Sequence, residues 1–111
     1  MKGTNIGELE ELIMLVVALL HDDAYGYAIQ KEIKERCDRA ITISTVHASL
    51  ARLEKKGYVS SRYAGATSSR GGRRKHLFQL TQAGEKVLIR TKEQRDSIWA
   101  AIPQFGQLSG L

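Results

Sequence analysis

Residues 44–57 read STVHASLARLEKKG, and this stretch decides the fold. Val46, Leu50 and Leu53 recur at helical spacing, so they predict one buried stripe on a helix over about 45–56. Ser44 is the predicted N-cap, because its hydroxyl can accept a hydrogen bond from an otherwise unpaired amide. Gly57 follows the last turn, where a left-handed residue commonly ends a helix.

A hairpin is predicted directly after this helix. Residues 58–64 are rich in Tyr, Val and Ser and predict one strand, and residues 73–80 predict a second. The intervening loop 65–72 reads GATSSRGG, and the segment 70–75, RGGRRK, holds four cations within six residues. The sequence therefore predicts a hairpin with a long, basic, glycine-rich tip.

Three further helices are predicted around this unit. Gly7–His21 forms the first, and its acidic start suits a helix dipole. Its run Leu12–Leu20 is apolar on every side and is therefore expected to be buried all round, in a core or in a subunit interface. Tyr25–Cys37 forms the second. Thr81 is the predicted cap of a last helix over about 82–102, which ends before Pro103.

The resulting order is helix, helix, helix, strand, strand, helix. We interpret it as mostly α with a small β hairpin, namely a winged helix-turn-helix plus a C-terminal dimerisation helix. The predicted division is a DNA-binding domain over residues 1–80, followed by the dimerisation helix and tail over residues 81–111.

The charge distribution indicates a polyanionic partner. The chain of 111 residues carries 17 basic and 12 acidic residues, yet residues 44–80 hold eight basic residues and one acidic residue. The remainder holds nine basic and 11 acidic residues, so the positive field is local. A localised excess of this kind is typical of nucleic-acid binding.

Candidate DNA contacts follow from the two basic elements. Side chains near the start of helix 45–56 are expected to reach base edges, and basic side chains near its end, Lys56 included, to meet phosphate. The hairpin tip is expected to lie on the neighbouring backbone. The predicted DNA-binding residues are Ser44, Thr45, His47, Ala48, Arg52, Lys55, Arg70, Gly72, Arg73, Arg74 and Lys75.

Other classes of protein have little support in the sequence. The longest apolar run has nine residues, whereas a membrane-spanning helix needs about 20. One cysteine excludes an internal disulfide framework, which favours a cytoplasmic location, and the three histidines show no metal-ligand spacing. No nucleophile stands at an informative spacing from a base, so neither enzymatic activity nor a cofactor is expected.

Four segments resemble the PadR family of bacterial transcriptional regulators. They are GELEELIML from residue 7, AYGYAIQ from residue 24, the stretch 44–57, and GGRRKHLFQLTQAG from residue 71. The single short C-terminal helix is similar to the small subfamily. The resemblance implies a homodimeric winged helix-turn-helix repressor whose last helix is swapped onto the partner. His47 replaces the Tyr that the family usually has in the recognition helix, and Leu77-Phe78 replaces the aromatic pair of its wing.

Two alternatives remain open at this stage. One is a winged helix of another kind, such as a MarR-like regulator. The other is a winged-helix protein-interaction module with a basic surface and no specific operator. Salt dependence distinguishes DNA binding from the latter, because binding through phosphates weakens steeply and log-linearly with salt.

The last helix predicts a homodimer and a small-molecule site. Its apolar residues Val87, Leu88, Ile98, Trp99 and Ile102 need more cover than one small winged domain provides. Trp99, the only tryptophan, would meet its symmetry copy near the dimer axis and bind an aromatic or cationic effector, with Asp96 favouring positive charge. Such an effector would release the repressor. The alternative is that Trp99 simply packs in the interface.

Overall fold

The computed structural model describes residues 6–64 and 74–104. A single turn of 3-10 helix, His21–Asp23, joins the first two helices. The predicted order of helices and strands is confirmed. The elements are α1 (Glu8–Leu20), α2 (Gly26–Cys37), α3 (Ile43–Lys55), β1 (Val59–Ala64), β2 (Lys75–Leu80) and α4 (Gln82–Ala101).

The core lies where α1, α2 and α3 meet. The stripe predicted for α3 is buried, with Val46 and Leu53 wholly inaccessible. It packs against apolar side chains of α1 and α2, including Ile13, Ile29 and Ile33. Each such side chain stabilises the fold by about 1.5–3 kcal/mol relative to exposure, so this stripe fixes the orientation of α3.

The hairpin is antiparallel and is joined to the start of α2. Its register runs from Val59 opposite Leu80 to Ala64 opposite Lys75. Tyr25 forms an additional antiparallel bridge with Leu77, and the Phe78 amide donates to the Ala24 carbonyl at 2.8 Å. The strand pattern puts Leu77 on the same face as Lys75, yet Leu77 is buried because the chain before α2 covers it.

The start of α3 differs from its prediction. Thr42, not Ser44, is the N-cap, and its hydroxyl oxygen accepts from the Thr45 amide at 3.1 Å. Ser44 lies within the first turn, exposed. Both residue types cap helices well, so the sequence alone does not distinguish them. The predicted left-handed residue after the helix is confirmed, since Gly57 has a φ of 83°.

The apolar surfaces of α1 and α4 are only partly covered within a single chain. Leu12–Leu20 is not buried all round within one chain, because Leu15 and Leu19 are 48% and 52% exposed. Ile98, on α4, is 64% exposed. The predicted Thr81 cap of α4 is confirmed, its hydroxyl accepting from the Gly84 amide at 3.0 Å. No helix among the described residues is long and apolar enough to cross a membrane.

Candidate nucleic-acid interface

One face of α3 is open along its whole length. Ser44, Ala48, Ala51 and Lys55 recur at three- or four-residue spacing and are exposed. They lie opposite the buried stripe, which includes Ser49. The face is therefore small at the start of the helix and basic at its end, and a flat surface can approach the first two turns closely.

His47 and Thr45 flank this face in different ways. The exposed His47 ring lies over Gly26, where an added Cβ would stand 2.7 Å from Nε2 and 2.8 Å from Cε1. His47 thus occupies the junction between α3 and the start of α2. Thr45 is half-buried, and its hydroxyl accepts from the Thr42 hydroxyl at 2.9 Å, so it belongs to the helix cap.

The basic end of α3 is divided between two sides. Lys55 is exposed on the open face. Lys56 turns back towards α1, where its ammonium donates to Glu10 Oε1 at 2.9 Å and to Oε2 at 3.1 Å. Arg52 Nε lies 3.5 Å from Glu10 Oε2, and its Nη2 donates to Ser49 Oγ at 3.2 Å. Two cations predicted to bind phosphate therefore have partners within the protein.

Glu10 is the centre of this cluster. Its side chain is 8% exposed, and the Gly7 amide donates to Oε1 at 2.9 Å. Burial by itself raises the pKa of Glu10, but the hydrogen bonds from the Gly7 amide and the Lys56 ammonium outweigh it and leave the pKa below its ordinary value. Glu10 is thus a buried, ionised carboxylate that joins α1 to the end of α3.

Aromatic rings lie together near the loop end of the two hairpin strands. Tyr63 and His76 stack with centroids 4.3 Å apart, and His76 meets Phe78 at 4.5 Å. The Arg74 guanidinium lies 5.7 Å from the Tyr63 ring, and the Lys75 ammonium lies 4.6 Å from the Tyr25 ring. Each cation keeps the exposure needed to meet a phosphate while an aromatic face restricts its position.

The start of α2 joins the two predicted DNA-binding elements. His47 of α3 contacts Gly26, and Lys75 of β2 contacts the adjacent Tyr25.

The predictions for Arg70, Gly72 and Arg73 lie outside the described residues. Sequence reasoning missed Tyr25 and Tyr63, although aromatic residues directly before a helix and late in a wing strand are a usable signal.

A separate groove lies between α1 and α4. It has a volume of about 490 Å³ and contains both residues predicted for effector binding, Trp99 and Asp96. Trp99 is 59% exposed. Asp96 accepts from the Lys92 ammonium at 2.6 Å, so its charge is already paired. The lining is completed by Glu11, Leu15, Leu88, Ile89, Lys92 and Arg95.

Comparison with known proteins gives consistent matches. The "Transcriptional regulator PadR-like family" matches residues 14–90. An uncharacterised protein from Lysinibacillus sphaericus is 31% identical over 101 residues, covering 89% of this chain and 84% of its own. A PadR family transcription regulator from Clostridium difficile is 31% identical, with a TM-score of 0.69 and coverage of 86% of this chain and 96% of its own.

A further structure shares the fold at lower identity. It is Bacillus subtilis PadR in complex with operator DNA, which is 19% identical with a TM-score of 0.61. The match covers 86% of this chain and 48% of that one. The winged-helix architecture is thus common to this chain and to these solved structures.

Proposed function

This chain belongs to the PadR-like family of transcriptional regulators, and we propose from that premise that it is a homodimeric repressor that binds a specific DNA operator and is released by a small molecule. Its function is then binding, not catalysis, and it acts in the cytoplasm. The operator complex of Bacillus subtilis PadR, which shares the fold, is consistent with this proposal.

The observation that carries the DNA-binding proposal is the pairing of two exposed elements at the start of α2. The open face of α3 presents small side chains, including Ser44 and Ala48, that suit close approach to base edges in a major groove. Lys75, the first residue of β2, lies over Tyr25 next to the start of α2, and Arg74 directly precedes it. Both cations are exposed and suit the adjacent phosphates. His47, at the junction, is assigned to the edge of the same surface.

Selection of bound duplexes from a random pool tests this proposal directly. We expect one enriched sequence with two related half-sites about one DNA turn, roughly 34 Å, apart. Enrichment of no sequence would reject the operator and favour the protein-interaction alternative.

Charge neutralisation tests the wing. The double variant Arg74→Gln with Lys75→Gln should weaken binding to every duplex and flatten the plot of log affinity against log salt by about 2 per protomer, since each lost phosphate contact contributes about 0.9. The control, Lys86→Gln with Arg90→Gln on the exposed surface of α4, removes the same charge and should leave the slope unchanged. Equal slopes for the two double variants would reject the wing assignment.

The homodimer proposal rests on α4. Every residue from Lys92 to Ala101 is exposed in the single chain, and Ile98 is among them. A helical segment of about ten residues is marginal in water without tertiary packing. Leu15 and Ile89 add exposed apolar surface on either side of the α1–α4 groove, so pairing with a second copy would cover all of it.

Light scattering after size exclusion, at micromolar concentration, measures the assembly. We expect twice the 12.4 kDa of one chain. The double variant Ile89→Lys with Ile98→Lys should shift the mass towards one chain, because it puts charges into the apolar interface. The control, Lys86→Ala with Arg90→Ala, should remain dimeric. A single-chain mass for the wild-type protein would reject the dimer.

The effector proposal places an aromatic or cationic compound in the α1–α4 groove, against Trp99 and with Asp96 nearby. Displacement of Lys92 from Asp96 by a ligand cation would free the carboxylate to pair with it. Binding there would change the relation between the two winged domains and so lower DNA affinity.

Trp99 fluorescence, titrated with a panel of planar aromatic cations, tests this site. We expect quenching by at least one compound, and the same compound should weaken operator binding. Calorimetry then compares Trp99→Ala with the control Lys86→Ala, because the first variant lacks the fluorophore. Equal affinity in both variants would remove Trp99 from the site.

A further inference from the structure

Glu10 is a feature that the proposed DNA contacts do not explain. Its carboxylate lies on the buried side of α1, faces the end of α3, and accepts hydrogen bonds from the Lys56 ammonium and the Gly7 amide. Arg52 Nε is the third donor, at 3.5 Å. A carboxylate of this kind is expensive to bury unless it is paired, and here both oxygens are paired.

The ion pairs of Glu10 with Lys56 and Arg52 leave Lys55, within the described part of the chain, as the unpaired neighbour on the open face of α3. Lys55 and Lys56 are adjacent in sequence, yet Lys55 lies on the open face and Lys56 on the α1 side. Arg52 is 57% exposed, so its guanidinium is close enough to the surface to reach a phosphate when nothing else holds it. An acidic partner inside the protein occupies the donors that a phosphate would otherwise use.

We propose that Glu10 is a positioning residue for DNA recognition, which holds Lys56 and Arg52 away from phosphate and fixes the end of α3 against α1. Two consequences follow for a regulator that reads sequence. Fewer phosphate contacts lower the affinity for arbitrary DNA, because that affinity is almost wholly electrostatic. A fixed α3 keeps the same side chains at the base edges. Glu10 thereby raises the ratio of operator binding to nonspecific binding.

The inference rests on the proposed DNA-binding function, and Glu10→Gln tests it. The amide has nearly the same shape but releases both cations. We expect tighter binding to a random-sequence duplex, with a salt slope steeper by about 1–2 per protomer, corresponding to one or two further phosphate contacts. The ratio of operator to random-duplex affinity should fall by about tenfold, the size of effect that one wrong base pair produces.

Glu35→Gln is the matched control. Glu35 is exposed on α2 and lies outside the α1–α4 groove. Its replacement changes the net charge by the same amount but releases no cation of α3, so the salt slope should stay at the wild-type value. Equal slopes for the two variants would overturn the proposal. So would a loss of affinity for random duplex in Glu10→Gln, which is the result expected if Glu10 only stabilises the fold.

The adjacent lysines provide a second test that does not depend on the folding of Glu10→Gln. Lys55→Gln should flatten the salt slope by about 0.9 per protomer, whereas Lys56→Gln should leave it unchanged. Equal flattening by both variants would overturn the proposal. A wild-type protein that binds no duplex would reject the proposed function together with this inference, whereas wild-type binding with equal effects of both lysines rejects the inference alone.

Discussion

Gly84 stands at the closest approach between α4 and the chain entering β1, and its replacement by alanine gives a sharp test of the packing. A Cβ at this position would lie 2.1 Å from the Tyr58 carbonyl oxygen, whereas real Cβ atoms essentially never come within 3.0 Å of another heavy atom. The obstacle is backbone, so no side chain can rotate away. Gly84→Ala must therefore separate the two segments by about 0.9 Å.

That separation disrupts the contacts that hold the start of α4. The Thr81 amide donates to the Tyr58 carbonyl at 3.0 Å, and the Thr81 hydroxyl donates to the Gly57 carbonyl at 2.6 Å. Losing both costs about 2 kcal/mol, and the remaining overpacking adds about 1–3 kcal/mol. The better helix propensity of alanine returns about 1 kcal/mol. The free energy of unfolding should fall by about 2–4 kcal/mol.

Urea unfolding followed by circular dichroism measures this change, at one fixed protein concentration because dimerisation would contribute to stability. Gly7→Ala is the matched control, because a Cβ there would meet its nearest atom, Glu10 Oε1, at an ordinary 3.8 Å. Gly7 precedes α1 as its N-cap, so a loss of about 1 kcal/mol or less is expected. A Gly84→Ala variant within about 0.5 kcal/mol of the wild type would refute the reasoning.

Three further predictions concern α3 and the wing. Thr42→Ala should lower the free energy of unfolding by about 1 kcal/mol because it removes the cap of α3, whereas Ser44→Ala should change it by less than about 0.5 kcal/mol; urea unfolding compares the two. The lowered pKa of Glu10 means that its stabilising contribution is present above its ordinary value of 4.5 and is lost as pH falls through the lower folded-state pKa. Wild-type protein should therefore lose more stability than Glu10→Gln on acidification below about pH 5, and equal losses in pH-dependent unfolding would contradict this. Tyr63→Ala should weaken binding to random and operator duplexes alike, because Tyr63 restricts Arg74 without reading bases; a selective loss of operator affinity in a filter-binding assay would assign it a base contact.

The apolar spacing along each helix and the residues that cap or end the helices were sufficient to predict the order of helices and strands. Val46, Leu50 and Leu53 have one spacing that buries all three, and Gly57 stands where only a residue tolerant of positive φ fits well. The cap of α3 was not determined in the same way. Thr42 and Ser44 offer similar hydroxyls two residues apart, and the choice depends on the loop that enters the helix, which is set by tertiary packing.

The burial of Glu10 could have been predicted from its spacing along α1, although its acidic neighbours suggested another role. The helix dipole accounts for all three acidic residues at the start of α1, so it does not single out Glu10. Yet Glu10, Ile13, Met14 and Val17 follow the spacing of one helical face, and all four are buried. A carboxylate on an apolar face requires a cation from another element. Which cation it finds depends on how α3 packs, and periodicity within one helix cannot show that.

The apolar run of α1 does not show from its sequence which side of the helix the single chain leaves exposed. A helical pattern assigns a buried side by contrast with polar residues on the other, and Leu12–Leu20 contains no polar residue to mark the exposed side. The fold buries Val16 and Val17 but leaves Leu15 and Leu19 half exposed. An apolar helix that is covered on only one side leaves apolar side chains in water, and burying them requires another apolar surface. The proposed homodimer would supply this cover, because a second copy of the chain would bring its own exposed Ile98 and Trp99.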